Sequence, residues 1–260
     1  MIQENCKVAS HVAISGGYSY LSLEAPGIAA SAAPGQFVHV RVPGLEETAI
    51  RRPFSIFDAR DGILTLLYKN VGRGTAALSK IAPGDAVDVL GPLGHGFPLK
   101  CSGTALLVGG GFGVAPLYFL ARRLKEAGHA DIVLFAGGRT AQDLLALDRF
   151  EAIGVEARVA TNDGSAGAQG LVTVPLDGCT AQLSKDGKAF EFFACGPDPM
   201  LKAVASRAVE SGAKGWISMD RHMVCGVGAC YACIQKTVRG NSRCCIEGPV
   251  FAAADLVWEG

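Results

Sequence analysis

The 260-residue chain has no excess of charge of either sign: Lys and Arg together number 24, as do Asp and Glu. With no basic field, nucleic acid is not expected as a partner. Charged residues make up only 18% of the chain, so part of its surface is expected to lie under a partner. The five histidines are scattered, and no Ser/His/Asp order or acid–base pair invites a hydrolase reading. Met1 to Val12 contains Glu4, Lys7 and His11 and has no apolar signal core, which makes a cytoplasmic chain the expectation. In that compartment the nine cysteines read as thiols and not as a disulfide framework. Ser102 to Ala121 is charge-free and approaches the length of a bilayer span. Gly109, Gly110, Gly111, Gly113 and Pro116 break it into strand, turn and helix, so no membrane span is expected. Repeats and low-complexity tracts are also lacking.

Hydrophobic residues, at 49%, are plentiful enough for two or three cores. Residues 1–100 carry short β-like runs between turn residues: Phe37–Val42, Gly62–Tyr68 and Asp85–Leu90. They predict an antiparallel barrel or sandwich, with a short helix over Ala76–Ile81. Gly91 to Pro98 reads as a linker. From Thr104 strands and helices alternate: strands over Ala105–Val108, Ile132–Ala136, Val155–Ala160, Phe190–Ala194 and Gly215–Met219, and helices after Gly113 and over Gln142–Phe150 and Pro199–Val209. That order predicts a parallel α/β domain over 101–217. A small cysteine-rich module fills 218–260.

In that module Cys225, Cys230, Cys233 and Cys245 stand at C-x4-C-x2-C-x11-C. This is the thiolate spacing of a plant-type 2Fe-2S cluster. Gly226 and Gly228 let backbone amides approach the sulfurs. Zinc, which also takes four thiolates but commonly as two close pairs, is the competing reading. Cys244 adjoins Cys245 and could replace it; Cys245 is chosen because Gly248-Pro249-Val250-Phe251 follows as a closing turn.

Two turns suit a dinucleotide. Gly109-Gly110-Gly111-Phe112-Gly113 joins a strand to a helix N-terminus, where amides and the helix dipole favour a diphosphate. Cys195-Gly196-Pro197 ends another strand on the same sheet edge. In the first domain Arg51-Arg52-Pro53-Phe54-Ser55 offers guanidinium groups for a diphosphate and a hydroxyl for a flavin nitrogen. Gly72-Arg73-Gly74-Thr75 is a further phosphate cradle. Tight turns and exposed arginines without a ligand remain the bland alternatives.

Taken in order, Pro34-Gly35-Gln36-Phe37, Arg52 to Ile56, Gly72 to Thr75, Gly91-Pro92-Leu93-Gly94, Gly109 to Pro116, Cys195-Gly196-Pro197 and the four-cysteine module resemble the ferredoxin-reductase superfamily. They resemble most closely the iron–sulfur electron-transfer subunit of class 1B dihydroorotate dehydrogenase. The resemblance spans essentially the whole chain. It implies an FAD-binding β-barrel domain, an NAD-binding α/β domain and a 2Fe-2S module. Arg52, Pro53, Phe54, Ser55, Tyr68, Lys69, Asn70, Gly74 and Thr75 would hold FAD. Gly109, Gly110, Gly111, Gly113, Cys195, Gly196 and Pro197 would receive NAD; Arg139, following the second strand of that domain, leaves NADP open. It also implies an FMN-containing catalytic subunit as partner, in a heterotetramer of two of each, oxidising dihydroorotate to orotate in pyrimidine synthesis. Asp220, where that family usually has glutamate, and the extra Cys244 depart from the pattern. Two rivals stand beside this reading: the small subunit of an NAD(P)H:ferredoxin or sulfide-type reductase, in which an aspartate often replaces the first cysteine, and a zinc-stabilised interaction module without activity.

Overall fold

A computed structural model of the chain describes residues 1–45, 47 and 50–258. Six antiparallel strands close the N-terminal barrel: β1 (Ile2–Ile14), β2 (Tyr18–Glu24), β3 (Phe37–Arg41), β4 (Arg52–Arg60), β5 (Ile63–Lys69) and β6 (Ala86–Leu93), in the spatial order β1-β2-β5-β4-β3-β6. Alternation decides the facing of side chains. On β3, Val38 and Val40 are buried with Leu21, Leu23, Ile56, Leu64 and Leu66, while Phe37 and His39 point to the outer wall and are buried there by other parts of the chain. Helix α1 (Pro26–Ser31) lies between β2 and β3 in the chain, and α2 (Arg73–Leu78) follows β5.

The second layer is a seven-stranded sheet. Parallel strands β7 (Thr104–Gly110), β8 (Ile132–Gly138), β9 (Glu156–Thr161), β10 (Ala168–Gln169), β11 (Phe190–Cys195) and β12 (Gly215–Ser218) take the order β10-β9-β8-β7-β11-β12, and β15 (Val250–Ala252) is added antiparallel at the β12 edge. Helices α3 (Val114–Glu126), α4 (Leu147–Ala152), α5 (Thr173–Lys185) and α6 (Asp198–Ser211) connect the strands. Hydrophobic runs such as Ala105-Leu106-Leu107-Val108 are buried on both faces, as a covered parallel sheet requires. The chain moves outward from β7 through β8 to β10, then returns to β11 on the other side, so β7 and β11 bracket a topological switch point.

Barrel and sheet share an apolar seam. The rings of Phe57 (β4) and Tyr118 (α3) stack at 4.5 Å with 6° between planes, and Phe119 is buried in the barrel's own core. A fully buried phenyl ring such as that of Phe57 contributes roughly 1.5–3 kcal/mol. The C-terminal module adds a hairpin, β13 (Ile234–Thr237) with β14 (Gly240–Arg243), and sends β15 into the sheet.

Several local expectations need correction. The helix predicted over Ala76–Ile81 starts earlier, at Arg73, because the Thr75 hydroxyl accepts from the Val71 and Gly72 amides and fixes the first turn there. The helix predicted over Gln142–Phe150 is instead a 3-10 turn at Ala141–Asp143 followed by α4; Ala146, at φ 58°, separates them. Gly91 to Leu93 belong to β6, and the segment read as a linker is bolted down: Gln36 Nε2 donates to Gly94 O at 2.7 Å and Phe97 N to Pro34 O at 2.7 Å. The strand at Gly215 is not the sheet's last, since β15 lies outside it, and α5 with β10 fills a stretch that the sequence left unassigned. Among the described residues no helix is long and apolar enough to cross a membrane.

Candidate functional site

Two clefts meet where the barrel faces the switch point. The first, of about 230 Å³, is lined from β4 by Arg52, Pro53, Phe54 and Ser55 and from β5 by Leu67, Tyr68 and Lys69, with Val71 and Thr75 beyond. Its opposite wall comes from the sheet edge: Phe112, Gly113, Ala115, Cys195, Ser218, Met219, Asp220, Met223 and Pro249. Phe54 meets Tyr68 edge-on at 5.7 Å, and the Tyr68 hydroxyl is occupied by His11 Nε2 at 2.8 Å. The lining combines aromatic rings with the Arg52 guanidinium, a composition that suits a flavin with its diphosphate. Gly74 lies under Arg52: a methyl there would stand 2.8 Å from Nε. Asn70 does not line the cleft; its Oδ1 accepts from the Thr75 hydroxyl at 3.3 Å and so steadies the loop.

The second cleft, of about 570 Å³, opens over the turns after β7, β8 and β11. Gly110, Gly111 and Phe112 at the start of α3, Gly137 to Arg139, Asn162, Leu171 to Thr173 and Pro197 line it. The 13-residue α3 starts directly behind Gly111 to Gly113, so the positive end of its dipole favours a diphosphate there. Gly109 and Gly196 sit beneath that lining: a methyl at Gly109 would strike Val114 at 2.6 Å, and one at Gly196 would strike Met200 at 2.6 Å. Gly113 is glycine because β7 and β11 come together; a methyl would stand 2.2 Å from the Cys195 carbonyl oxygen.

Cys195, expected beside the nicotinamide nucleotide, lines the first cleft and not the second, and burial pushes its thiol up to about 12 despite a hydrogen bond with Ser218. Ser218, Met219, Asp220 and Met223 at the end of β12 were missed by sequence reading, because no local pattern marks a residue that reaches the cleft across a strand edge. Burial raises the Asp220 carboxyl, an effect that Arg221 opposes. Tyr18 and Asp143 were missed as well. Lys69 Nζ donates to Tyr18 Oη and Tyr18 Oη to Asp143 Oδ1, both at 3.2 Å, while Arg139 Nε donates to Asp143 Oδ2 at 3.2 Å. Arg139 thus lines the second cleft with its guanidinium tied to a carboxylate. Lys69 and Phe112 border both clefts, so the two spaces abut.

Beside the first cleft lies the cysteine loop. Cys225 leads it: burial raises its pKa, but the Val227, Cys230 and Ala229 amides and the Cys230 thiol favour the thiolate and bring it down to about 6. Cys245 N donates to Cys233 Sγ at 3.4 Å. Burial, then Cys233, pushes Cys245 up to about 12, and the charge of Cys225 adds to this. Cys244 is buried, with Arg221 and Asp220 nearby, and its amide donates to Cys233 O at 2.9 Å. Among the described residues no three His, Cys, Asp or Glu side chains converge on a point that could hold a single ion. What separates the two centres is spacing: C-x4-C-x2-C-x11-C, three cysteines within nine residues and a fourth apart, is the pattern of a two-iron cluster and not the two close pairs common for zinc. All nine cysteines are free thiols.

A flavin-shaped cleft on an antiparallel barrel, abutting a dinucleotide cleft at a parallel-sheet switch point, defines a flavin–nicotinamide oxidoreductase of ferredoxin-reductase build. The comparisons agree in order along the chain: an oxidoreductase FAD-binding domain matches residues 5–97, an oxidoreductase NAD-binding domain 107–206, and the iron–sulfur cluster binding domain of dihydroorotate dehydrogenase B 220–257. The "Dihydroorotate dehydrogenase B (NAD(+)), electron transfer subunit" of Geobacillus thermodenitrificans is 40% identical over 98% of this chain and 98% of its own. Its counterpart in Fusobacterium nucleatum is 37% identical over 97% and 98%. The chain belongs to the family of dihydroorotate dehydrogenase B electron-transfer subunits. Among solved structures, a chain of the NADH-dependent reduced ferredoxin-NADP oxidoreductase superposes with a TM-score of 0.86 at 33% identity, covering 98% of this chain and 90% of that one. A ferredoxin NADP+ reductase from Neisseria gonorrhoeae shares the fold at TM-score 0.64 and 15% identity, over 85% of this chain and 95% of its own.

Proposed function

We propose that this chain is the electron-transfer subunit of a dihydroorotate dehydrogenase B, carrying electrons between the FMN of a catalytic partner subunit and NAD+ by way of its own 2Fe-2S cluster and FAD. The reaction served is dihydroorotate to orotate in pyrimidine synthesis, in a cytoplasmic heterotetramer of two copies of each subunit. An electron-transfer subunit implies a catalytic partner; its FMN and the stoichiometry follow from the family resemblance. The domain limits that go with this reading are 1–100 for FAD, 101–217 for NAD and 218–260 for the cluster.

The observation that carries the reading is the order of the three sites. The cysteine loop packs on the outer wall of β3, the first cleft begins at Phe37 on that same strand, and the second cleft abuts the first at Lys69 and Phe112. Bound flavin supplies the exchange between paired and single electrons that nicotinamide and an iron–sulfur centre cannot make directly. The chain's residues hold and orient. Arg52, Pro53, Phe54, Ser55, Tyr68, Lys69 and Thr75 seat FAD, with Gly74 and Asn70 shaping the loop. Gly110, Gly111 and Pro197 receive NAD above Gly109 and Gly196, while Gly113, expected there, stands in the flavin wall. Cys225, Cys230, Cys233 and Cys245 hold the cluster, Cys195 closes the flavin wall, and the apolar lining excludes water.

The test is reconstitution. The complex of this chain with its co-purifying flavoprotein should reduce NAD+ with dihydroorotate, and the chain alone should not. Turnover by the chain alone, or co-purification with a ferredoxin-dependent partner and no orotate formed, overturns the reading. The second outcome would favour the reductase reading, which the 33% identical structure keeps in view.

A further inference from the structure

His39 is fully buried, yet neither ring nitrogen has a hydrogen-bond partner in the protein. Buried polar groups almost always find partners, and one left without costs about 1–3 kcal/mol, so an orphaned imidazole asks for a reason. Its place in the fold supplies one. On β3 it pairs with Pro53 of β4 and Leu90 of β6, and its ring lies 5.6 Å from that of Phe37. Phe37 and Pro53 line the flavin cleft. From the other side the ring is covered by Gly226, next to Cys225: a methyl at Gly226 would stand 2.9 to 3.1 Å from Cε1, Nδ1 and Nε2. Gly226 is therefore glycine twice over, for its φ of 70° and for the room the imidazole takes. Burial, and then the charge of Arg51, pushes the pKa of His39 down to about 4, so the neutral ring carries one N–H.

We propose that His39 donates this N–H to a sulfur of the two-iron cluster and thereby sets its reduction potential. The inference rests on the iron–sulfur reading of the cysteine loop. A neutral donor aimed at an anionic sulfur favours the more negative, reduced state, and hydrogen bonds to sulfur are one of the means by which proteins tune such centres. His39 is thus a positioning residue between cluster and flavin, with no ligand role.

The test uses the intact complex with its cofactors. With histidine 15N-labelled, HYSCORE spectra of the reduced cluster should show one weakly coupled 15N nucleus, absent in His39→Leu. In an EPR-monitored redox titration His39→Leu should lower the midpoint potential by about 59 mV, a tenfold change for a one-electron couple. His39→Gln, which keeps a donor, should recover most of that shift. Wild-type protein with full iron and sulfide but no 15N coupling overturns the proposal, as does an unchanged potential in His39→Leu. Should His39→Leu fail to load its cluster, the labelled wild-type spectrum decides alone. Wild-type protein without iron or sulfide would instead strike at the cluster reading itself.

Discussion

Arg122 on α3 donates from Nε to Asp58 Oδ1 on β4 at 2.8 Å, and its Nη2 reaches the Ala59 carbonyl at 3.0 Å, so one guanidinium ties the nucleotide layer to the barrel wall. Glu126 holds Nη1 from the same helix. The tie sits beside the Phe57–Tyr118 stack, so relative motion of the layers must break a charged contact and an apolar one together.

Arg122→Met should therefore destabilise the chain by roughly 2–3 kcal/mol. This is less than the 3–5 kcal/mol typical of removing one partner from a fully buried pair, because Asp58 is partly exposed and can rehydrate. Urea unfolding of the wild type and the variant checks it; a difference under about 0.5 kcal/mol would mean the apolar seam alone holds the layers.

Gly74 and Arg52 offer a paired test of the flavin cleft. Arg52→Ala should weaken FAD retention by roughly ten- to a hundredfold, the range of a lost charge-assisted hydrogen bond. Gly74→Ala should do nearly as much by displacing the guanidinium, which lies 2.8 Å from the added methyl. Because the clashing atom belongs to a flexible side chain, the chain should still fold. Flavin content after gel filtration, set against thermal melting, separates the two effects.

Arg139 bears on the choice of nicotinamide nucleotide. Asp143 holds its guanidinium; burial raises the Asp143 carboxyl, but Arg139 and Tyr18 outweigh this and keep it below its ordinary range. A neutralised Arg139 is a poor receptor for a 2′-phosphate. Asp143→Ala should free it and raise the ratio of kcat/KM for NADP+ to that for NAD+ by about tenfold, ~1.4 kcal/mol. Adding Arg139→Ala to that variant should cancel the gain. Steady-state kinetics with both nucleotides is the measurement.

How much of this could be read from residues alone depends on the range of the interaction. Turns whose chemistry is local could be found as turns: Gly110, Gly111 and Pro197 line the second cleft, whereas their neighbours Gly113 and Cys195 line the first, a division that spacing alone does not show. Three barrel strands, β3, β5 and β6, were legible as β-like runs between turn residues, whereas β1 and β2 were not singled out. Residues that reach the site across space were not legible. Tyr18 and Asp143 are 125 positions apart, and Ser218 to Met223 meet the flavin-shaped cleft only because β12 ends beside β11. The helix misplaced over Gln142–Phe150 failed because Asp143 turns away to Arg139 and Tyr18, a tertiary demand that helical periodicity cannot register. His39 reads as an ordinary strand residue until Gly226 is seen above it.

The neighbouring thiols Cys244 and Cys245 make the sharpest test of the cage. Adjacent side chains at a turn point in different directions, and here only one can join the other three. Both thiols feel Cys233, but only the Cys245 amide contacts Cys233 Sγ and only the Cys245 thiol also feels Cys225; Cys244 is fully buried, with Arg221 and Asp220 nearby. Cys245→Ser and Cys230→Ser should each abolish the cluster, read as loss of iron, acid-labile sulfide and the rhombic EPR signal of the reduced protein. Cys244→Ser should keep full iron and sulfide, because its loss removes a small buried thiol and no ligand. Its thermal midpoint should fall by only a few degrees, since a hydroxyl replacing a buried sulfur costs about 1–2 kcal/mol. Loss of the cluster in Cys244→Ser together with its survival in Cys245→Ser would exchange the two roles and require the turn after β14 to face the other way.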